Sequence, residues 1–515
     1  MLPYTPHIPS IGLDQMAPYL VLLVGAISCL VADAASTKEG SRRLLPWITM
    51  ATLVAAFAAF YLPILPRDGK PFLEGVLVHT EFGNLGALTI IFASLAMAVM
   101  GRASVETRNL ATGEFYSLVL FATFGAVLLA LSNELLTAFI SLEIMSLSLY
   151  VLAGIDRRSP RSAEAAMKYF ILGAFAAAFF VMGTAFLYGA TATTQLDRMR
   201  EVFSLGGIPL PDGTLAPLNG VYVYVGFALL LVSLAFKLSL APFHMWAPDV
   251  YEGAPTPSAM LIATASKVGA FALLFHLLAS MAGWRPFFVS AGFLLAFLAL
   301  ASMLWGNLAA IQQKNIKRML AYSSIAHGGY LMVGYTAMMA TTHGASDFDQ
   351  SMLQGSVRQS ILLYLFGYTI MNALAFGLAH FLGKEGEGDM ASYRGLWKRN
   401  PVVAAGMAIA MFSLLGMPGT VGFMGKFFIF RHAIEAGLYW LASVGILASV
   451  ISAFYYLRLV VNMFMVEEEE GAPVASVEGP GAAAASTRSV MLIVSAVLVI
   501  LMGLLPMSYL ALSQF

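Results

Sequence analysis

Charge is scarce in this chain. Only 11% of its 515 residues are Asp, Glu, Lys or Arg, against about a quarter in an ordinary soluble domain. Cysteine is scarcer still: the single Cys29 lies in an apolar run. That excludes an intramolecular disulfide, and it excludes a cysteine-ligated iron–sulfur cluster within this chain. An excess of either charge sign is also missing, since 28 Lys plus Arg balance 28 Asp plus Glu. No basic patch interleaves with aromatics, so the sequence gives no sign of nucleic-acid binding. No two His or carboxylates show the spacing of a metal motif, and no nicotinamide, flavin or cluster motif is present. The N-terminal MLPYTPHIPSIGLDQMAPYL lacks the basic region that precedes a secretory apolar core. The run from Pro18 to Val31 therefore reads as a first permanent span.

What is present is apolar length. Hydrophobic residues make up 59% of the chain, in repeated runs near the ~20 residues that cross ~30 Å of hydrocarbon as helix. A soluble protein of this size would need several cores, because single cores stop growing near ~250–300 residues. We therefore expect an all-α membrane protein of about fourteen transmembrane helices. The expected spans are 17–34, 45–63, 80–100, 114–131, 133–154, 161–189, 221–246, 256–280, 288–309, 316–340, 357–382, 401–435, 438–465 and 489–509. The short junction at Ser132, Asn133 and Glu134 makes spans 4 and 5 antiparallel neighbours. The stretch 466–488 carries an acidic block, Glu467 to Glu470, then small residues and Pro, and reads as a flexible linker.

Positive charge tests this count. Sixteen of the 28 lysines and arginines fall at odd-numbered loops and seven at even-numbered ones, with Lys168, Lys237, Lys267, Lys426 and Arg458 inside spans. The bias places odd loops on the cytoplasmic side and both termini on the periplasmic side.

Two spans are interrupted. Pro242 and Pro248 follow Lys237 in span 7, and Gly416, Pro418, Gly419, Gly422 and Gly425 precede Lys426 in span 12. Proline removes a donor and clashes with the preceding turn, and open backbone at membrane depth requires a protein interior or a wet cavity. Breaks at corresponding places in two halves point to an inverted repeat with its transport sites. The expected organisation is 1–113 for spans 1–3, 114–282 for a first five-helix unit (spans 4–8), 283–465 for a second, inverted unit (spans 9–13), 466–488 for the linker and 489–515 for span 14. Helices 7 and 12 are the broken ones.

An ionised side chain at the bilayer centre costs at least ~2.5–3.5 kcal/mol, so the buried ionisable residues are the functional candidates. Glu143 sits mid-helix in AFISLEIMSLSLYVLAG, and Lys168, near the start of the next span, could supply its countercharge. The pair reads as a proton-accepting site or as a tether between spans 5 and 6. Lys237 and Lys267 have strongly apolar flanks; a lysine that loses and regains its charge carries protons, whereas one that snorkels does not. His244 follows Pro242 and either passes protons or bonds a carbonyl freed by the proline. His327, in YSSIAHGGYLMVG, reads as a relay between the two halves or as packing. Lys426 closes the second break and reads as the outlet end of a path or as a surface lysine. Glu134 stands at a helix start, a cap or cavity mouth first and a proton-transfer group second. Asp249 and Glu252 read as structural, His276 as packing and Arg458 as snorkelling.

The strings FKLSLAPFHMWAPDVYEGAPTPSAMLIATASK, NIKRMLAYSSIAHGGY and LLGMPGTVGFMGKF together resemble the antiporter-like membrane subunits of respiratory complex I, the proton-pumping NADH–quinone oxidoreductase, and within them the subunit N family. The likeness covers almost the whole chain. It implies fourteen helices in two inverted five-helix repeats with helices 7 and 12 broken. It also implies a glutamate of helix 5 at Glu143, its modulating lysine of helix 6 at Lys168 and the helix-7 proton carrier at Lys237. Lys267 then matches the central lysine of helix 8, His327 the helix-10 histidine and Lys426 the helix-12 lysine. The larger antiporter-like subunits are similar, but one of them has Glu at this last position, and the largest continues into a long lateral helix where this chain ends soon after helix 14. The resemblance further implies a cell inner membrane location, other complex I membrane subunits as partners, an indirect link to the peripheral redox arm, and NADH, FMN, iron–sulfur clusters and quinone in partner subunits only. The edge material departs: the acidic linker, the Gly/Pro-rich loop 191–220 and the first helices, Glu81 included, match the family less specifically. Related alternatives are a multisubunit cation/proton antiporter and a membrane-bound hydrogenase-type complex; an inert assembly scaffold is the alternative of a different class.

Overall fold

The computed structural model describes residues 13–61, 71–282, 284–340, 347–381, 388–467 and 482–505. Helix dominates. Chain order gives α1 (Leu13–Ala35), α2 (Lys38–Tyr61), α3 (Glu81–Thr107), α4 (Thr112–Ala130), α5 (Leu135–Ala153) and α6 (Pro160–Thr191). A short amphipathic helix, α7 (Leu196–Leu205), and a two-stranded antiparallel hairpin, β3 (Gly207–Pro209) with β4 (Leu215–Pro217), fill the loop expected over 191–220. A similar hairpin, β1 (Pro71–Phe72) with β2 (Leu77–Val78), precedes α3.

Then come α8 (Gly220–Lys237), α9 (Ala247–Gly253), α10 (Thr256–Ala263), α11 (Ala265–Ser280), α12 (Arg285–Ile311), α13 (Ile316–Ala340) and α14 (Asp347–Phe381). The chain ends through α15 (Leu396–Arg399), α16 (Pro401–Leu415), α17 (Val421–Glu435), α18 (Tyr439–Phe464) and α19 (Ala482–Leu504). Among the described residues eleven helices are long and apolar enough to cross a membrane, and two shorter apolar helices lie at Pro401–Leu415 and Ser489–Leu504. Helix α13 is not one of the eleven, although it has 25 residues. It carries Lys317, Arg318, His327 and several hydroxyls and is buried along nearly its whole length. A polar helix of that kind is stable at membrane depth only inside a shell of other helices. The outer shell is visible in α6, where Met167, Phe170, Phe175 and Met182 are exposed while Tyr169, Gly173, Phe180 and Leu187 face inward.

Both expected breaks are present. Helix α8 stops at Lys237, nine irregular residues follow, and α9 resumes at Ala247. The expected span 401–435 is two helices, α16 and α17, separated by residues 416–420. Gly416 and Gly419 adopt φ of +92° and +86° there, backbone that L-residues rarely accept. A third break falls at a point without proline or glycine: Thr264 divides the expected span 256–280 into α10 and α11. Most of the acidic linker and the two extreme termini lie outside the described residues.

Helices α4 and α5 pack antiparallel across their short junction, as do α12 and α13. The two contacts share a detail. A Cβ on Gly125 of α4 would meet the Met145 nitrogen at 2.5 Å and the Ser141 carbonyl at 2.7 Å. One on Gly306 of α12 would meet the Ala326 nitrogen at 2.6 Å and the Tyr322 carbonyl at 2.8 Å. In both pairs a bare glycine is what lets the backbones touch.

Candidate functional site

Four helix segments bring cations into the protein interior. Lys237 is the last residue of α8, and its side chain reaches across to α5 and α6. The ammonium donates to Ser146 Oγ at 2.8 Å and Tyr169 OH at 3.1 Å and lies 5.2 Å from the Tyr169 ring centre and 5.7 Å from that of Tyr150. Lys237 is 2% exposed. Its α5 partners share one face: Glu143, Ser146 and Tyr150 are spaced three and four apart, the spacing of one helix stripe. Glu143 interacts electrostatically with Lys237, while its Oε1 is buried without a hydrogen-bond partner. The neighbouring α5 residues Ile140 and Leu147 are exposed, so Glu143 stands at the rim between the interior and that outer face. Tyr169 is held in turn by Trp246, stacked at 4.3 Å.

Lys267 follows the Thr264 break by three residues. Its ammonium donates to the Ser324 carbonyl of α13 at 2.8 Å, and the residue is buried. His327 lies one turn further along α13, with Nδ1 2.9 Å from Tyr364 OH and Nε2 3.4 Å from Tyr456 OH. It feels the charges of both Lys426 and Lys267. Lys426 lies in the second turn of α17 and reaches back across the break. Its ammonium donates to the carbonyls of Leu414 at 3.0 Å and Leu415 at 2.8 Å and to Ser449 Oγ at 2.9 Å, with the Tyr330 ring 4.9 Å away. Those carbonyls belong to the last turn of α16, which has no following turn to bond them. Lys426 is thus a buried interior group and not a surface lysine. A narrow seam joins the Lys237 and Lys267 regions: Gly328 of α13 faces both the Leu238 carbonyl and the Lys267 ammonium.

Lys168 departs from the expected pairing. Its ammonium binds Asp249 at 2.6 Å and Glu164 at 2.7 Å, and not Glu143. The physical reason is placement, since Lys168 lies two turns into α6 at the end where α9 packs, and its side chain stays 42% exposed. Asp249 also binds Arg318 at 2.6 Å, and Arg318 reaches Glu252 at 3.1 Å. Beside this ladder Lys317, not among the expected site residues, is buried and donates to the Ala254 carbonyl at 2.9 Å. It holds the gap between α9 and α10. The signal available for it is its place inside the expected span 316–340.

The accessory candidates divide. Glu134 precedes α5 but makes no cap bond to backbone; its carboxylate accepts from Thr137 Oγ1 at 2.6 Å and Thr194 Oγ1 at 2.9 Å. His244 packs 5.6 Å from the Trp305 ring, and its Nδ1 is buried without a partner. His276 bonds the Ala130 carbonyl at 3.1 Å, a packing role. Arg458 donates to the Ile311 carbonyl at 2.8 Å and to that of Gln313, sealing the end of α12. Among the described residues no group of three or more His, Cys, Asp or Glu could hold a metal ion.

Residues 132–452 match the family described as NADH:quinone oxidoreductase/Mrp antiporter, TM. The chain is 39% identical to "NADH-quinone oxidoreductase subunit N 1" of Sorangium cellulosum, over 95% of this chain and 96% of the relative. It is 37% identical to "NADH-quinone oxidoreductase subunit N" of Trichlorobacter lovleyi, over 98% and 97% of the two chains. A chain in the structure of respiratory complex I from Thermus thermophilus superposes with a TM-score of 0.74 at 33% identity, covering 95% of this chain and 97% of that one. A buried Lys–His–Lys file between broken helices, in a helical chain that matches such relatives from end to end, leaves one assignment: the chain belongs to the subunit N branch of the NADH:quinone oxidoreductase/Mrp antiporter family.

Proposed function

We propose that this chain is a proton-translocating membrane subunit of an NADH–quinone oxidoreductase, a translocase part that lies in the bacterial inner membrane and has no redox centre of its own. NADH, FMN, iron–sulfur clusters and quinone belong to partner subunits, and the outer faces of the chain meet lipid and the neighbouring membrane subunits. The observation that carries the reading is the set of interior cations Lys237, Lys267 and Lys426, buried with His327 and served by hydroxyls and freed carbonyls. Such groups are expensive in hydrocarbon and mark ion pathways.

The finer architecture belongs to the same proposal. Joining α8 with α9, α10 with α11 and α16 with α17, and leaving out the short α7 and α15, gives fourteen spans. Spans 4–8 and 9–13 form two repeats, a reading supported by the matching Gly125 and Gly306 contacts, which place Ser146 and His327 at equivalent positions. Residues 1–113 and 489–515 flank the repeats, 466–488 lead to the last span, whose helix α19 already begins at Ala482, and both termini are periplasmic. Protons enter from the cytoplasmic side, load Lys237 and Lys267, pass His327 and leave beyond Lys426. Glu143 tunes Lys237 through space. Lys168 acts at one remove, through Asp249 and Arg318, and Glu134 and His244 are accessory.

The test is proton pumping by the purified, reconstituted complex carrying Lys237→Ala. Pumping falls while the subunits remain assembled. Undiminished pumping in an assembled complex would leave the chain an inert scaffold.

A further inference from the structure

Beyond Lys426 the chain carries polar groups that the proposed path does not use. Helix α17 continues from Lys426 through Ile429 to His432 and ends at Glu435. His432 stands six residues on, about 9 Å along the axis. Ile429 and Ile361 are fully buried. A Cβ on Gly334 would touch Ile429 Cδ1 at 2.7 Å and Ile361 Cγ1 at 3.1 Å, so a tightly packed apolar plug stands between Lys426 and His432.

On the far side of the plug His432 is 5% exposed and both ring nitrogens are engaged. Nε2 lies 3.0 Å from Ser360 Oγ, and Nδ1 lies 2.8 Å from Glu435 Oε2. The Ser360 hydroxyl donates to the Ser356 carbonyl at 2.9 Å, so its oxygen faces Nε2 as an acceptor. An ionised carboxylate only accepts. With that hydroxyl orientation both ring nitrogens face acceptors, and each acceptor calls for an N–H. Turning the Ser360 hydroxyl toward Nε2 releases that requirement and leaves Nδ1–H donating to Glu435. Glu435 is 32% exposed at the helix end, where Arg431 binds its other oxygen at 2.7 Å.

We propose that Ser360, His432 and Glu435 form the outlet by which protons leave this subunit, across the Ile361–Ile429 plug from Lys426. The inference rests on the proton-translocating reading and extends it to named outlet groups. A proton that crosses the plug when water enters it is taken up at His432 Nε2. The Nδ1 proton then passes to the Glu435 carboxylate and on to bulk water, and a water-relayed exchange that takes the Nε2 proton and returns one to Nδ1 restores the starting tautomer. One proton enters and one leaves. Arg431 positions the carboxylate at the surface.

The experiment uses the intact, reconstituted complex and reads protons pumped per electron pair beside the NADH oxidation rate. His432→Gln keeps a hydrogen-bonding side chain but cannot take up the proton, and Glu435→Gln leaves the histidine in place. Both lose the same share of pumping per electron pair as Lys237→Ala does, while Glu435→Asp retains it. The Glu435 pair decides the matter should His432→Gln fail to assemble. Wild-type pumping in assembled His432→Gln or Glu435→Gln complexes overturns the outlet. Wild-type pumping in Lys237→Ala instead overturns the underlying function, which separates the two failures.

Discussion

The two helix breaks present their lysines to different chemistry. Lys237 stands before its break and is held by side chains, the hydroxyls of Ser146 and Tyr169. Lys426 stands after its break and folds back onto main chain, the carbonyls of Leu414 and Leu415, with Ser449 as the one side-chain partner. Hydroxyls donate as well as accept, whereas carbonyls only accept. The first site can therefore reorganise around a change in hydrogen count, and the second presents three acceptors to three N–H donors. A broken helix thus serves a buried cation in two ways: it makes room for side chains from neighbouring helices, or it supplies its own unbonded backbone.

The sharpest way to break this comparison is to remove the side-chain acceptors at each site. Combined Ser146→Ala and Tyr169→Phe strips Lys237 of both partners, each bond to a charged group being worth about 1.5–3 kcal/mol. Pumping by the reconstituted complex should fall by ~10-fold or more on that basis. Ser449→Ala leaves Lys426 two carbonyls and should cost far less. Equal losses at the two sites would erase the distinction between them.

Backbone strain distinguishes the breaks next. Gly416, at φ +92°, lies where a Cβ would come within 3.1 Å of Lys426 Cδ. Gly416→Ala should destabilise by about 1–2 kcal/mol from the left-handed backbone alone, and it should displace the lysine as well. The first break already places a non-glycine, Ser239, at φ +57°. Ser239→Gly should be neutral or mildly stabilising, because it relieves what Gly416→Ala creates. Thermal unfolding of the detergent-purified complex, followed through this subunit, checks both; a stabilised Gly416→Ala protein would contradict the argument.

Much of this was readable in advance because hydrophobic runs and proline–glycine clusters are local signals. Pro242 and the Gly416–Gly425 cluster announced two breaks at their true places. Thr264 did not announce the third, since a threonine in LIATASKVGAF looks helical; in the structure its hydroxyl donates to the Met260 carbonyl at 2.7 Å, a back-bond that bends helices. Lys237, Lys267 and Lys426 could be picked out by their apolar flanks, and the structure buries all three. Lys317 was hidden because it lies next to Arg318 and Lys314, in what reads as a basic loop. The partner of Lys168 was beyond reach for a different reason. Periodicity says which face of α6 a side chain occupies, but the choice between Glu143 on α5 and Asp249 on α9 depends on how two helices pack against a third.

That choice supplies the smallest expected effect. Asp249 bridges Lys168 and Arg318 at the end of the first break, and the second break has no comparable ladder among the described residues. The side chains are 29–42% exposed, so solvent screens them and each pair is worth about 0.2–1 kcal/mol. Asp249→Asn should therefore lower stability only slightly. If the ladder also fixes α9 against α6 and α13, the same change leaves Lys168 only Glu164 on its own helix, and Lys168→Met made on top of it should add almost nothing. A double-mutant cycle on pumping rate measures that coupling directly. Additive losses would mean that Lys168 works through another partner, and the first break would then be held by its hydroxyls and aromatic rings alone.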